Sequence, residues 1–473
     1  MTSTMEQSSN LSVVLPEIPD REFYLPDFGA VGDGVLECTN AFKQAIEACS
    51  NAGGGKVIVP AGIWLTGPIL LKSKLNLHLE KGATVLFTRD YDKYPLILSS
   101  FEGEEIVRCQ SPLDGENLEH VAITGEGVFD GAGDAWRPVK KFKMTEKQWQ
   151  KLISSGGVVD ENGKEIIWWP TEMAMNGVKV YQELRQKKSK NIESFRPIRD
   201  FLRPNLLSLR RSKHVLLDGP TFQNSPAWNI HPWICEHVTV RNVTVRNPWY
   251  AQNGDGLDLE SCRYCLVENS IFDVGDDAIC IKSGKDEEGR KLGITCEEIE
   301  IRNCQVYSGH GGFVIGSEMS GGAKNIRISD CSFYGTDVGL RFKSTRGRGG
   351  VIENISIENI RMNNISGEAI VYHMFYEISE EDLIATTVPV SEETPIFRNF
   401  DVRNIVCTGA QTFLLMKGLP EMPLENLTFE NITGKAKRGI IGSQCKEVHF
   451  SSISIETEEG PLYTFENCES ISY

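Results

Sequence analysis

The segment YCLVENSIFDVGDD (264–277) is answered one repeat later by EIEIRNCQVYSGHGG (298–312). Both carry a strand phrase of the type apolar-x-apolar-x-Asn. It recurs at His237–Asn242, Tyr264–Asn269, Glu298–Asn303, Asn325–Asp330, Asn354–Asn359, Asn399–Asn404 and Asn426–Asn431. Successive phrases are offset by 27, 34, 27, 29, 45 and 27 residues. A period near 27 with loop-sized excesses is the mark of stacked coils. The phrases alternate, favour β-branched residues and end on turn formers, so they predict strands. One such coil cannot bury its apolar side alone; stacking makes parallel sheets around a continuous core.

Working outward, the spacing places the polar residues. Adjacent strands sit roughly 4.8 Å apart. Asp276 follows Asn269 by seven residues and His310 follows Asn303 by seven, so the two are expected at equivalent points of neighbouring coils. Asn253-Gly-Asp255 belongs to the coil before, and Arg341-Phe-Lys343 to the coil after. Gly275 predicts a bend that lets Asp276 and Asp277 both face outward, where flat strand geometry would oppose them. Any one of these blocks is ordinary loop or surface sequence. Their joint placement on four consecutive coils predicts an active-site face.

The rest of the chain fits a single unit. Its 473 residues exceed a usual single domain, but a solenoid grows in one dimension. A formal charge of −16 argues against general nucleic-acid binding and requires a local basic pocket for any anionic substrate. Residues 1–21 read as a polar tail with no signal-peptide core, and no run is long enough to span a membrane. The location is expected to be periplasmic or secreted if a signal has been removed, and cytoplasmic if the chain is complete as given. Thirteen cysteines, with only a lone Cys262-x-x-Cys265, predict buried free thiols rather than a metal site. Phe28–Gly34 lacks the Gly-Lys-Ser/Thr ending of a phosphate loop and reads as a turn into a helix over 39–52. Thr39 is its expected N-cap; Phe42, Ala45, Ile46 and Cys49 are its apolar stripe.

Such a helix caps the first coil, whose strands follow at Lys56–Val59, Leu75–Leu79, Thr84–Phe87 and Val121–Thr124. Residues 134–200 interrupt the pattern as one long insertion within a 22–473 domain. Its Trp168-Trp169 pair suits either a core or a sugar-stacking platform. A second excursion is expected near 376–396, and residues 460–473 should close the far end. Asn242, Asn354, Asn364, Asn426 and Asn431 match the glycosylation sequon, but their strand-end positions favour hydrogen bonding within the coil.

The chemistry open to this constellation is glycosidic cleavage. Crowded carboxylates raise one another's pKa, so one can stay protonated beside an ionised neighbour. One acid protonates the leaving oxygen while another activates water, with about 6.5–9.5 Å between them in inverting enzymes.

The four blocks resemble the Asn-Thr-Asp, Gly-Asp-Asp, Gly-His-Gly and Arg-Ile-Lys signatures of family 28 glycoside hydrolases, the polygalacturonases. DFGAVGDG (27–34) and VPAGIWLTGPILLKSKLNLHLEKGATVLF (59–87) are similar to the start of bacterial members. Gly254 and Phe342 depart from the pattern. The resemblance implies an all-β, right-handed parallel β-helix, hydrolysis of α-1,4-galacturonan with inversion, and no metal or other cofactor. It implies Asp276 as general acid, Asp255 and Asp277 as the pair holding water, and His310 tuning the acid or touching the sugar. Arg341 and Lys343 would bind the galacturonate carboxylate, as a planar Arg fork suits. Asn253 would support the first Asp or the substrate. Asp258, Ser317 and Glu318 read as structural or subsite-lining.

The insertion and the GHGGFVIGSE phrase (309–318) are similar to exo-acting members, in which a loop closing the cleft enforces attack from a chain end. The expected partner is a pectic polysaccharide or oligogalacturonide, with neither nucleic acid nor membrane involved; the oligomeric state is unknown. Alternatives are a rhamnogalacturonan or xylogalacturonan hydrolase, a calcium-dependent pectate lyase with the acids as calcium ligands, and a non-catalytic polysaccharide-binding β-helix.

Overall fold

The structure is a computed structural model that describes residues 11–161, 163–376, 378 and 387–473. The seven phrases identified above are strands of a parallel β-helix, and each is bounded by a residue in the left-handed region. His237 and Asn242, Tyr264 and Asn269, and so on to Asn426 and Asn431, all have φ between 51° and 60°. The coil bends at these points. Asn and Asp tolerate left-handed φ better than other side chains because a short polar group can bond locally.

The bends stack in two columns. Along one, Asn354 Nδ2 donates to Asn325 Oδ1 (3.1 Å), Asn399 to Asn354 (3.1 Å) and Asn426 to Asn399 (2.8 Å). Along the other, Asn359 donates to Asp330 (3.0 Å), Asn404 to Asn359 (3.0 Å) and Asn431 to Asn404 (2.7 Å). The sequon asparagines Asn354, Asn426 and Asn431 are thus rungs of amide ladders. Asn404→Ala removes two rungs and a residue suited to left-handed φ. It should cost about 1–3 kcal/mol, read as a lowered denaturation midpoint, and Asn404→Gly, which keeps the φ, should lose less.

Between the bends the apolar positions align across coils. Val238, Cys265, Ile299, Ile326, Ile355, Phe400, Leu427 and Val448 form one in-register interior column, every member buried. Cys265 simply occupies an aliphatic slot. All thirteen cysteines are free, as the lone CxxC suggested.

A twelve-stranded parallel sheet forms the face that carries the polar blocks. Its central strands are β1 (Leu257–Glu260), β2 (Asp277–Lys282), β3 (Gly311–Ile315) and β4 (Val338–Lys343). The N-terminal end is capped by α1 (Thr39–Asn51), which buries Phe42, Ala45, Ile46 and Cys49. Thr39 is its first residue and not its N-cap: Cys38 holds that place, and the Thr39 hydroxyl is occupied by Gly67 N–H at 2.6 Å and by Glu37. Strands Tyr463–Glu466 and Glu469–Ser472 close the other end.

The insertion contains α2 (Glu146–Ser154), α3 (Glu172–Gln186) and a small antiparallel sheet of Val139–Lys140, Val158–Asp160 and Ile167–Trp169. Trp168 and Trp169 are buried, Trp168 against Val139 and Trp149, with its indole N–H on Gly156 O at 2.8 Å. They are core, which removes the sugar-platform alternative. Arg185 of α3 braces the insertion on a hairpin through Glu102 (3.0 Å) and Glu104 (2.6 Å). The excursion near 376–396 lies partly outside the described residues. No helix among the described residues is long and apolar enough to cross a membrane.

Candidate active site

Register brings the acids together. Leu257 pairs with Ile279, so Asp255, two residues before Leu257, stands opposite Asp277 on the next coil. Asp277 pairs with Gly311, which sets Asp276 opposite His310, and His310 N–H donates to Asp276 O at 2.9 Å. One oxygen from each of Asp255, Asp276 and Asp277 lies within 4.8 Å of the others. The nearest oxygens thus lie within about one strand spacing, inside the roughly 6.5–9.5 Å separation of inverting enzymes, because Asp255 and Asp277 sit side by side and Asp276 turns back over its own strand. Its Oδ1 accepts the Asp277 N–H at 3.0 Å, at the bend that follows Gly275.

Glycine makes room for the cations. A Cβ on Gly311 would meet Val314 Cγ2 at 2.4 Å and Asp277 Oδ1 at 3.3 Å. That space borders Arg341, whose Cβ would lie 3.8 Å away; Lys343 reaches back from β4, two coils on, beside Gly316, and its Nζ donates to Asp277 Oδ2 at 2.8 Å. Arg341 Nη1 stands 3.8 Å from Asp277 Oδ1 and is partly open to the cleft. The Tyr376 ring lies 4.9 Å from Lys343 Nζ and 5.7 Å from the Arg341 guanidinium. The two motif departures are steric. A side chain on Gly254 would strike Ala251 Cβ at 2.5 Å, and Phe342 points inward, stacked on Tyr372.

The three acids are electrostatically unlike. Burial, then Asp258 and Asp276 beside it, push Asp255 well above the usual carboxylate range. Burial alone would raise Asp277 too, but Lys343 and Arg341 outweigh it and hold Asp277 below that range. One acid favouring its protonated form thus stands beside an ionised one, as crowding predicts, with Asp255 the raised member and Asp277 the lowered one. Asp276 is the most open of the three, its side chain 23% exposed against 2% for Asp277. Its Oδ1 also meets His310 Nδ1 at 3.1 Å. This hydrogen bond raises the His310 pKa, against burial and the nearby Lys143 ammonium. Oδ1 of Asp255 and Oδ1 of Asp277 are buried without a hydrogen-bond partner among the described residues.

Asn253 Oδ1 accepts from Arg203 Nη2 at 2.8 Å, and Arg203 also binds Gln252 O, so this side chain is tied to the scaffold two residues before Asp255. Beneath the acids, Lys282 Nζ joins Glu318 Oε2 (3.1 Å) and Asp258 Oδ1 (3.7 Å), with the Trp228 ring 4.8 Å away. Asp258 and Glu318 are the flanking acids of the sequence; Lys282 was not singled out there, although it shares β2 with Asp277. Lys143 was missed altogether. It comes from the insertion, its Nζ is 3.4 Å from His310 Nε2, and its carbonyl accepts the indole N–H of the exposed Trp249 at 3.0 Å. No coil repeat sets its register, so no spacing could have found it.

A cluster of three carboxylate oxygens could also hold a cation. Here Lys343 and Arg341 already supply positive charge to Asp277, which fits a carboxylate set working with protein cations rather than as a ligand cage.

Fold and site together define a polysaccharide-cleaving β-helix. The family model of glycosyl hydrolases family 28 matches residues 140–448, and the chain belongs to that family and is a hydrolytic enzyme. It is 34% identical to the hyperthermoactive exopolygalacturonase of Thermotoga maritima, with a TM-score of 0.74 over 97% of this chain and 93% of that one. It is 28% identical to a probable polygalacturonase of Vitis vinifera over 88% of this chain and 75% of that protein. With the exo-poly-alpha-D-galacturonosidase of Dickeya chrysanthemi it shares 26% identity over 85% of this chain and 64% of that protein.

Proposed function

We propose that the protein hydrolyses α-1,4-galacturonosyl linkages of polygalacturonate from a chain end, releasing galacturonic acid with inversion and without a metal. The observation that carries this reading is the meeting of Asp255, Asp276 and Asp277 within 4.8 Å, flanked by Lys343 and Arg341. Asp276, the open carboxyl, protonates the glycosidic oxygen, and His310 holds it in place. Asp255 and Asp277 lie deeper, one favouring its protonated form and one ionised, each with a free buried oxygen. A water held between them has a donor on one side and a base on the other. Arg341 presents its planar fork to a substrate carboxylate. The insertion reaches the site border at Lys143, which supports closure of one end of the cleft and hence exo action.

Two observations favour variants of this reading. The 4.8 Å spacing is near the roughly 5–5.5 Å of retaining glycosidases. Against retention, Asp277 is bonded by Lys343, and three acids rather than two surround the site. The elevated pKa of Asp255 favours it over Asp276 as the acid, but it is 3% exposed and lies under the face.

Incubation of polygalacturonate with the enzyme in EDTA, followed by NMR, tests the function. The expected result is monomeric galacturonic acid from the first time point, appearing as the β anomer. Mixed oligomers would overturn exo action, α anomer first would overturn inversion, and an unsaturated product lost on chelation would make the protein a lyase. Cleavage of rhamnogalacturonan alone would move the substrate.

A further inference from the structure

The charged groups of the site are linked contact by contact. Lys143 meets His310 at 3.4 Å, His310 meets Asp276 at 3.1 Å, and beyond Asp276 lie Asp277 and its cations Lys343 and Arg341. Cationic side chains therefore reach the site at two places: Lys343 and Arg341, both paired with Asp277, and Lys143, which is not so paired. It is half-buried, its contact is Nε2 of His310, and no carboxylate pairs with it among the described residues. Its neighbours Trp249 and Tyr250 fix the backbone that carries it, Trp249 through the Lys143 carbonyl and Tyr250 against the insertion's small core. A held, partly desolvated ammonium with unused donors lacks its counter-ion.

We infer that Lys143 is the receptor for the carboxylate of the terminal uronate, the sugar at the closed end of the cleft. A galacturonate dimer carries one carboxylate per ring. The two cationic groups, one beside Asp277 and the other beyond His310, match one sugar each: Arg341 takes one, and Lys143 the other. Because Lys143 belongs to the insertion, the element that closes the cleft also reads the charge of the sugar it encloses. The inference rests on the proposed galacturonate substrate and adds a charge requirement at the chain end.

The test compares the wild type with Lys143→Gln and Lys143→Arg on two substrates: digalacturonate, and the same dimer with the non-reducing carboxylate methyl-esterified. The wild type should prefer the free acid by roughly tenfold to a hundredfold in kcat/KM, the size of one charge-assisted hydrogen bond. Lys143→Gln should abolish that preference by raising KM for the free acid while leaving the ester nearly unchanged, and Lys143→Arg should restore part of it. An equal loss on both substrates, carried in kcat, would mean that Lys143 only orients His310 and would overturn the inference. So would a preference that survives Lys143→Gln. Failure of the galacturonate reading looks different: the wild type would then cleave neither dimer nor polygalacturonate.

Discussion

Asp276→Asn is expected to lower kcat on polygalacturonate by roughly 10²- to 10⁴-fold, the usual worth of a positioned general acid, while substrate still binds. The amide fills the same space and can still accept the Asp277 N–H, so the bend at Gly275–Asp276 persists. It can also meet His310 Nδ1, so the imidazole keeps a partner. What it cannot do is give up a proton to a departing sugar oxygen. On the proposed reading, binding rests on Arg341 and Lys343, which the substitution does not touch. Equilibrium titration with trigalacturonate should therefore give a Kd within a few-fold of the wild type, and wild-type turnover in the variant would refute the assignment.

Lys343→Met is expected to cost both stability and activity. Lys343 Nζ and Asp277 Oδ2 form a buried pair at 2.8 Å, and both side chains are under a tenth exposed. Removing Lys343 leaves buried Asp277 with only the longer Arg341 contact at 3.8 Å, a loss of up to about 3–5 kcal/mol. The pH dependence has a definite sign. Asp277 is held below the ordinary carboxylate range, so its ionised form contributes stability that is present above about pH 4 and fades as the pH falls through its folded value. The deficit of Lys343→Met relative to the wild type should be full near neutrality and shrink on acidification below about pH 4. Denaturant midpoints across pH 2–7 measure it. With Lys343 gone, Asp277 also becomes a poorer base at low pH, so the acid limb of the activity profile should move upward. A deficit independent of pH would show that the stability comes from packing of the lysine stem alone.

Much of this was legible from residues alone, for a physical reason. The left-handed bends at Asn269 and Asn303 are fixed points of the coil, so counting seven residues from each reaches Asp276 and His310. Cys265 was legible as a buried thiol because it falls on the column of Val238 and Ile299. The limits are equally specific. Coil spacing gives the strands' separation but not the turn of Asp276 over its own strand, which brings its oxygen within 4.8 Å of the other two acids. Crowding predicts one protonated carboxyl beside an ionised one but does not say which is which; Lys343 and Arg341 decide it by holding Asp277 ionised. Thr39 looked like a helix cap because its contact with Gly67 is made across 28 residues. Lys143 and Tyr376 lie on excursions without a repeat, so their approach to the site is a tertiary fact.

The central claim is that stacking makes Asp276 the proton donor, and leaving-group dependence tests it most directly. A 4-nitrophenyl galacturonide leaves as a stabilised phenolate and needs little protonation, unlike a sugar. On this substrate Asp276→Asn should recover most of the wild-type rate, while Asp255→Asn and Asp277→Asn, which impair the water, should stay slow on both. Recovery in Asp255→Asn and none in Asp276→Asn would contradict the account and transfer the acid to the buried carboxyl.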